Sequence, residues 1–252
     1  WGPSGGPSGD FPGGGTAAVG DISVTPFYTD TALTTLDTFE AESDLVVNPD
    51  APDAYDSIQT AVDESSDGDT VEVRPGTYTE PVTIKTDITL VAPDGATLDG
   101  PDSDTFGTVG IQIAPDSVAG SISPEIRGLT IEGYDSGILV GGSGDGNLVG
   151  DYSEEASGDW IVENVTVRNS GAAGIDATEG VGDWRISDSQ VVNTTYEGIT
   201  ADGATGAWVI ETTTISQTGR EGIRAINTAS SWTVRDTTIK NVSDVGIDAS
   251  FN

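Results

Sequence analysis

Four tryptophans, Trp160, Trp184, Trp208 and Trp232, stand 24 residues apart, and aligning the chain on them brings six further columns into line. Two residues after each tryptophan come Val162, Ile186, Ile210 and Val234; seven after, Val167, Val191, Ile215 and Ile239; nine after, Asn169, Asn193, Gln217 and Asn241. Fourteen after stand Gly174, Gly198, Gly222 and Gly246, followed directly by Ile175, Ile199, Ile223 and Ile247 and, two later, by Ala177, Ala201, Ala225 and Ala249. A period of this length with short β-branched patches and no helical stripe predicts a solenoid in which each period is one coil of three short strands. Successive coils then stack like side chains about 4.8 Å apart. The Val and Ile columns are expected in the core. The glycine column marks a turn with positive φ or a close backbone approach, and the Asn/Gln column an amide ladder. The tryptophans, beside the core in every coil, read as a stacked stripe covering a corner rather than an open platform for sugar rings.

An earlier coil carries Ile126, Leu129 and Ile131, then Gly137, Ile138 and Val140, one residue shorter. Between it and Trp160 lies the Gly-rich acidic stretch 141–159, expected to protrude as a loop. Upstream, Ile58, Ala61 and Val62 form the apolar stripe of a short helix with Asp56 or Ser57 as N-cap, and Val71, Val73, Val82, Ile84, Ile88 and Leu90 alternate as strands. Residues 1–15 are too rich in Gly and Pro for a helix, residues 21–28 suit one strand, and residues 29–54 are acidic. The chain divides into a Gly/Pro-rich segment 1–30, an acidic connector 31–54 and the solenoid 55–252.

The run Ile58-Gln59, Ala61-Val62, Gly68-Asp69-Thr70-Val71, Val73, Pro75-Gly76-Thr77-Tyr78, Glu80, Val82 and Ile84 resembles the entry to pectin-lyase-like β-helices, where a capping helix precedes the first coil. The resemblance spans residues 55–252 and implies an all-β fold, a right-handed parallel β-helix. For function it is weakly specific, because that fold carries lyases, hydrolases, adhesins, phage spikes and copper-delivery proteins. The opening Trp1-Gly2 with its Gly-Pro-Ser-Gly run resembles the segment that leaves the last coil of NosD-like surface β-helices, and the chain stops at Phe251-Asn252 where that segment would follow. Trp1-Gly2 thus reads as the continuation of the last coil of another unit, in a tandem array or in separate copies stacked head to tail.

Charge narrows the partners. With 42 acidic residues against 9 basic ones, a net charge of −33 and only Lys85 and Lys240 as lysines, the chain repels nucleic acid and anionic membranes. The acids are interleaved with regular apolar columns, which predicts a folded surface adapted to molar salt rather than disorder. Cys, Met and His are all absent, so disulfides, imidazole bases and soft copper ligands are excluded, and copper delivery with them. No apolar run is long enough for a membrane span, and the missing initiator Met and signal peptide imply processing or excerption.

Candidate chemistry is sparse. Lyase-type catalysis needs an Arg or Lys base beside acids, and the outward face of the Gly-Ile-x-Ala strand offers Asp176, Arg224 and Asp248, with Arg220 and Glu221 just before. The same residues, one coil from Glu197 and Asp244, also make an ion-pair ladder, which is the simpler reading. Carboxylates for a hydrolase are too abundant to single out a pair. No cofactor is expected, and a structural Ca²⁺ or other cation would sit at Asp145 and Asp151, or at Asp67, Asp69 and Glu72. Of three glycosylation sequons, only Asn164, read as an outer strand position, escapes the amide ladder.

The expected role is structural: a unit of an extracellular filament or cell-surface stalk of a salt-loving microbe. Its partner is itself, head to tail, through Trp1, Phe27 and Tyr28 of one copy and Trp232, Ile247 and Phe251 of another. About seven coils would span roughly 35 Å, and the last leaves an unpaired edge. The alternatives are a polysaccharide-acting enzyme, which predicts a closed end and a cleft, and a carbohydrate-binding adhesin or viral spike, which predicts trimers.

Overall fold

The computed structural model describes residues 45–114, 121–141, 158–178, 180–228 and 231–250. Residues 43–252 form one compact unit, a parallel β-helix. Every strand pairing is parallel. The coil that opens at Trp160 contains strands Ile161–Glu163, Thr166–Ser170 and Ile175–Asp176, and the following coils repeat it. The 24-residue period becomes the register itself. Ile126 pairs through Val162 and Ile186 to Ile210 and Val234. Ile131 pairs through Val167 and Val191 to Ile215 and Ile239. Ile138, Ile175, Ile199, Ile223 and Ile247 form the third column in a seven-stranded sheet.

Two columns of left-handed residues bend each coil, some within a strand and some between strands. The first runs Gly128, Asn164, Asp188, Thr212 and Asp236, with φ from 49° to 75°. The second runs Gly133, Asn169, Asn193, Gln217 and Asn241, with φ from 54° to 74°. Asn and Asp tolerate this conformation through local side-chain hydrogen bonding, which accounts for the amide column. One rung of the ladder is direct, Asn193 Nδ2 donating to Asn169 Oδ1 at 2.8 Å. The repeating glycines serve a different purpose. Their φ is ordinary, and a Cβ on Gly174 would lie 2.7 Å from the carbonyl oxygen of Gly198 in the next coil and closer still to Val191. Close approach, not turn conformation, requires glycine there. The same holds two coils earlier, at Gly137 and Gly110.

The upstream end is sealed. Helix Ile58–Glu64 starts at Ser57, whose Oγ accepts from Thr60 N at 3.0 Å, and it buries Ile58, Ala61 and Val62. The Glu80 carboxylate accepts from the free Ile58 and Gln59 amides at 2.8 and 3.2 Å, where the helix presents unpaired N–H groups. The Gln59 amide takes the place of a neighbouring strand. Its Oε1 accepts from Thr83 N at 2.6 Å and its Nε2 donates to Thr83 O at 3.2 Å, closing the edge of strand Val82–Ile84. The connector expected over residues 31–54 ends earlier. Leu45–Val47 is already a strand of the solenoid, paired with Val71–Val73, because the buried Leu45 and Val47 alternate with Val46.

Candidate functional site

The outward column of the seven-stranded sheet reads Asp176, Thr200, Arg224 and Asp248 in direct register. Asp176 and Arg224 therefore stand two coils apart with Thr200 between them, about 9.6 Å along the axis. Arg224 turns to other acids, with Nε 2.9 Å from Asp202 Oδ2 and Nη1 3.4 Å from Glu197 Oε1. Arg220 reaches the same Glu197 oxygen at 3.5 Å and lies 4.6 Å over the Tyr196 ring. Asp176 Oδ1 accepts from Thr178 N at 3.0 Å, and Asp248 Oδ1 from Ser250 N at 3.1 Å. Burial pushes the Asp176 carboxyl above its usual range; hydrogen bonds from Thr178 oppose this, and the charges of Glu197 and Asp202 add to it.

All seven arginines of the chain are ion-paired. Arg74 meets Glu72, Arg127 meets Glu125 and Glu163, and Arg168 meets Glu132. Glu211, almost wholly buried, is held between Arg185 and Arg235 from the coils on either side. The arginines thus tie coil to coil across a surface that is otherwise strongly acidic. The Glu211 bridge escaped sequence reasoning. Its signal was an Arg one or three residues after the tryptophan in the coils on either side of Glu211, hidden by the general abundance of acids.

Asp145 and Asp151 lie outside the described residues. Among the described residues, no group of three or more acids is arranged to hold a metal ion. Asp67 and Asp69 instead accept from the backbone amides of Asp87 and Ser66, at 3.1 and 2.8 Å, and Glu72 pairs with Arg74. Asn164 is exposed, but at a left-handed corner with φ 53° rather than in a strand, because the chain must bend there between Ile161–Glu163 and Thr166–Ser170. It borders a shallow groove lined by Ala92, Pro93, Arg127, Glu163 and Asp188.

The tryptophans are core rather than surface. Trp160, Trp184 and Trp208 are at most 2 % exposed, and the four rings stack with centroids 4.7, 4.8 and 5.4 Å apart. Only Trp232, in the last described coil, is partly exposed. That coil presents a section of the core: Ile247 is 39 % and Val245 46 % exposed, while every isoleucine above Ile247 in its column is fully buried. Trp1, Phe27, Tyr28 and Phe251 lie outside the described residues.

A family model for the right-handed β-helix region matches residues 109–252. The chain belongs to that family. A search of curated proteins finds no match. Among solved structures, this β-helix chain is similar to a mutant pectin methylesterase in complex with a hexasaccharide, at 15% identity and TM-score 0.50, covering 81% of this chain and 66% of that one. It is similar also to an alginate lyase from a Paenibacillus species, at 17% identity and TM-score 0.39, with 73% and 71% of the two chains covered. A surface adhesin of Streptococcus pneumoniae follows, at 13% identity and TM-score 0.22, with 76% and 89% covered. At such identities the likeness is one of fold.

Proposed function

We propose that this β-helix is a structural unit of an extracellular filament or cell-surface stalk, built by head-to-tail stacking of β-helix ends in a salt-rich environment. The observation that carries the reading is the coil-to-coil register, which repeats the same apolar columns along the solenoid and ties neighbouring coils with arginine ion pairs. The upstream end is sealed by a helix and by the side chains of Gln59 and Glu80. The downstream coil exposes Val245 and Ile247, and its strands Trp232–Arg235, Thr238–Lys240 and Ile247–Asp248 pair on one side only among the described residues. Unpaired strand edges and apolar core surface together favour a further coil there, from the same chain or from another. A contact between unlike ends does not close on itself and propagates as a line. The ion-paired arginines support a structural over a catalytic role. Electron microscopy of the purified chain in molar salt tests the proposal: one-dimensional assemblies are expected, and monodisperse single particles across the accessible concentrations would refute it.

A polysaccharide-acting reading draws support from one feature, the raised Asp176 carboxyl beside Glu197 and Asp202. A carboxyl raised by burial beside other carboxylates is shifted in the direction a glycosidase uses for its acid. Release of reducing ends from uronic-acid polymers, abolished by Asp176→Asn, would favour it over the filament.

A further inference from the structure

Asn164, Val165 and Thr166 make an Asn-X-Thr sequon, one of three in the chain with Asn193-Thr194-Thr195 and Asn241-Val242-Ser243. The fold treats them differently. At Asn164 the chain turns between two strands with φ 53°, and Val165 enters the core at 1 % exposure. This leaves Asn164 exposed and Thr166 half-buried at the surface. The Asn164 amide makes no side-chain hydrogen bond among the described residues. Asn193 is committed, its Nδ2 donating to Asn169 Oδ1 at 2.8 Å. Asn241 belongs to the same amide column. It follows the Ser216–Lys240 pair and so stands level with Gln217, about 4.8 Å away in the sheet spacing.

Asn164 also has room beside it. In the later coils one corner residue follows another, from Asp188 to Thr212 to Asp236. Next to Asn164 the pattern changes. Strand Thr89–Asp99 pairs Val91 with Arg127 and Ala96 with Leu129, so residues 92–95 bulge opposite Gly128 alone. A Cβ at position 128 would lie 2.3 Å from the Ala92 carbonyl oxygen, which keeps that corner free of a side chain. The result is the shallow groove at Asn164, with Ala92 and Pro93 on the bulge and Arg127, Glu163 and Asp188 about it. An apolar wall with a few polar groups suits a sugar ring attached at its edge.

We propose that Asn164 is an N-glycosylation site of the folded chain, with the first sugar beside the 92–95 bulge; this rests on the extracellular part of the reading above. In the transfer, Asn164 Nδ2 attacks C1 of a sugar carried on a polyprenyl phosphate or pyrophosphate. The N–C1 bond forms, the C1–O bond to the lipid carrier breaks, the amide gives up one proton, and the lipid phosphate leaves. Strand Ile161–Glu163 pairs on both sides, with Glu125–Arg127 and with Arg185–Ser187, so the glycan decorates the flank of a middle coil and covers no strand edge.

The test incubates the full, folded chain with its lipid-linked oligosaccharide donor and an oligosaccharyltransferase chosen because it accepts short peptides of all three sequons. Occupancy is read by mass spectrometry of the intact chain and its peptides. Asn164 is expected to be occupied at least ten-fold above Asn193 and Asn241. Thr166→Ala is expected to abolish the transfer and Thr166→Ser to keep it. Filament formation is read separately by electron microscopy: a chain glycosylated at Asn164 that forms no filaments upholds this inference and refutes the stalk alone. An unmodified Asn164, or equal occupancy at Asn193 or Asn241, overturns the inference and leaves the filament reading standing.

Discussion

Ile199→Ala tests the register on which the whole solenoid depends. Ile199 is fully buried, with Ile175 above and Ile223 below it in the same column. The substitution deletes three carbons, worth about 2.4 kcal/mol at ~0.8 kcal/mol per buried methylene. Neighbouring coils are tied by backbone pairing on both sides and collapse only partly, so a cavity term of about 1–2 kcal/mol adds to it. A loss of about 3–4 kcal/mol is expected by urea unfolding at constant high salt. Ile247→Ala provides the internal control: the same chemistry in the same column, at a residue 39 % exposed, is expected to cost less than half as much in unassembled protein. The unfolding slope needs to be compared as well, because a solenoid with a weakened middle can lose cooperativity between its halves. A loss below about half a kcal/mol for Ile199→Ala, or equal losses at the two positions, would falsify the packing argument.

Two further outcomes follow from charge. With a net charge of −33 and all seven arginines paired, self-repulsion grows as screening weakens, so the melting temperature is expected to fall steeply between roughly 2 M and 0.05 M salt; an unchanged value across that range would rule out the salt-adapted surface. Burial raises the Asp176 carboxyl above its ordinary value, so the group favours the folded state below that value and loses this contribution as pH rises through its folded value. Asp176→Asn is therefore expected to raise the melting temperature at neutral pH, with the gain shrinking towards zero on acidification below about pH 4, and a pH-independent effect would point to lost hydrogen bonding with Thr178 instead.

Much of the fold was legible because a solenoid writes its register into its period. Columns of Val, Ile and Trp at 24-residue spacing name the residues that pair, and the pairs occur as spaced. The capping helix was legible through its apolar stripe and Ser57. Backbone conformation was less so. The amide column drew notice through its uniform chemistry, whereas the corner column Asn164, Asp188, Thr212 and Asp236 mixes three residue types that all reach positive φ. The pattern alone therefore places Asn164 in a strand. The glycine column allowed two explanations, and only the distances to the next coil decide between them. The candidate site was the least legible part. Where 42 residues are acidic, spacing offers each arginine several partners: Arg224 takes Glu197, which the ladder reading names, and Asp202, which it does not, rather than the Asp248 beside it in register.

The pairing of charges bears on why this chain can be so acidic and still stack. Parallel coils repeat every side chain about 4.8 Å away, so a column of identical acids would be a column of like charges at close range. The solenoid avoids this by alternating what it repeats. Apolar and amide columns are conserved from coil to coil, while outward columns change sign or polarity, as in Asp176, Thr200, Arg224 and Asp248, or Glu163, Ser187, Glu211 and Arg235. Apart from Arg74, which pairs with Glu72 of its own coil, each arginine meets a carboxylate of a neighbouring coil, and Glu211, gripped from above and below, is the extreme case. Removing one of its partners, Arg185 or Arg235, leaves a largely buried carboxylate half-compensated, whereas removing Glu211 leaves two arginines half-exposed to solvent. The cross-coil ladder is therefore asymmetric in its tolerance: losing an arginine beside Glu211 is expected to cost more than losing Glu211 itself.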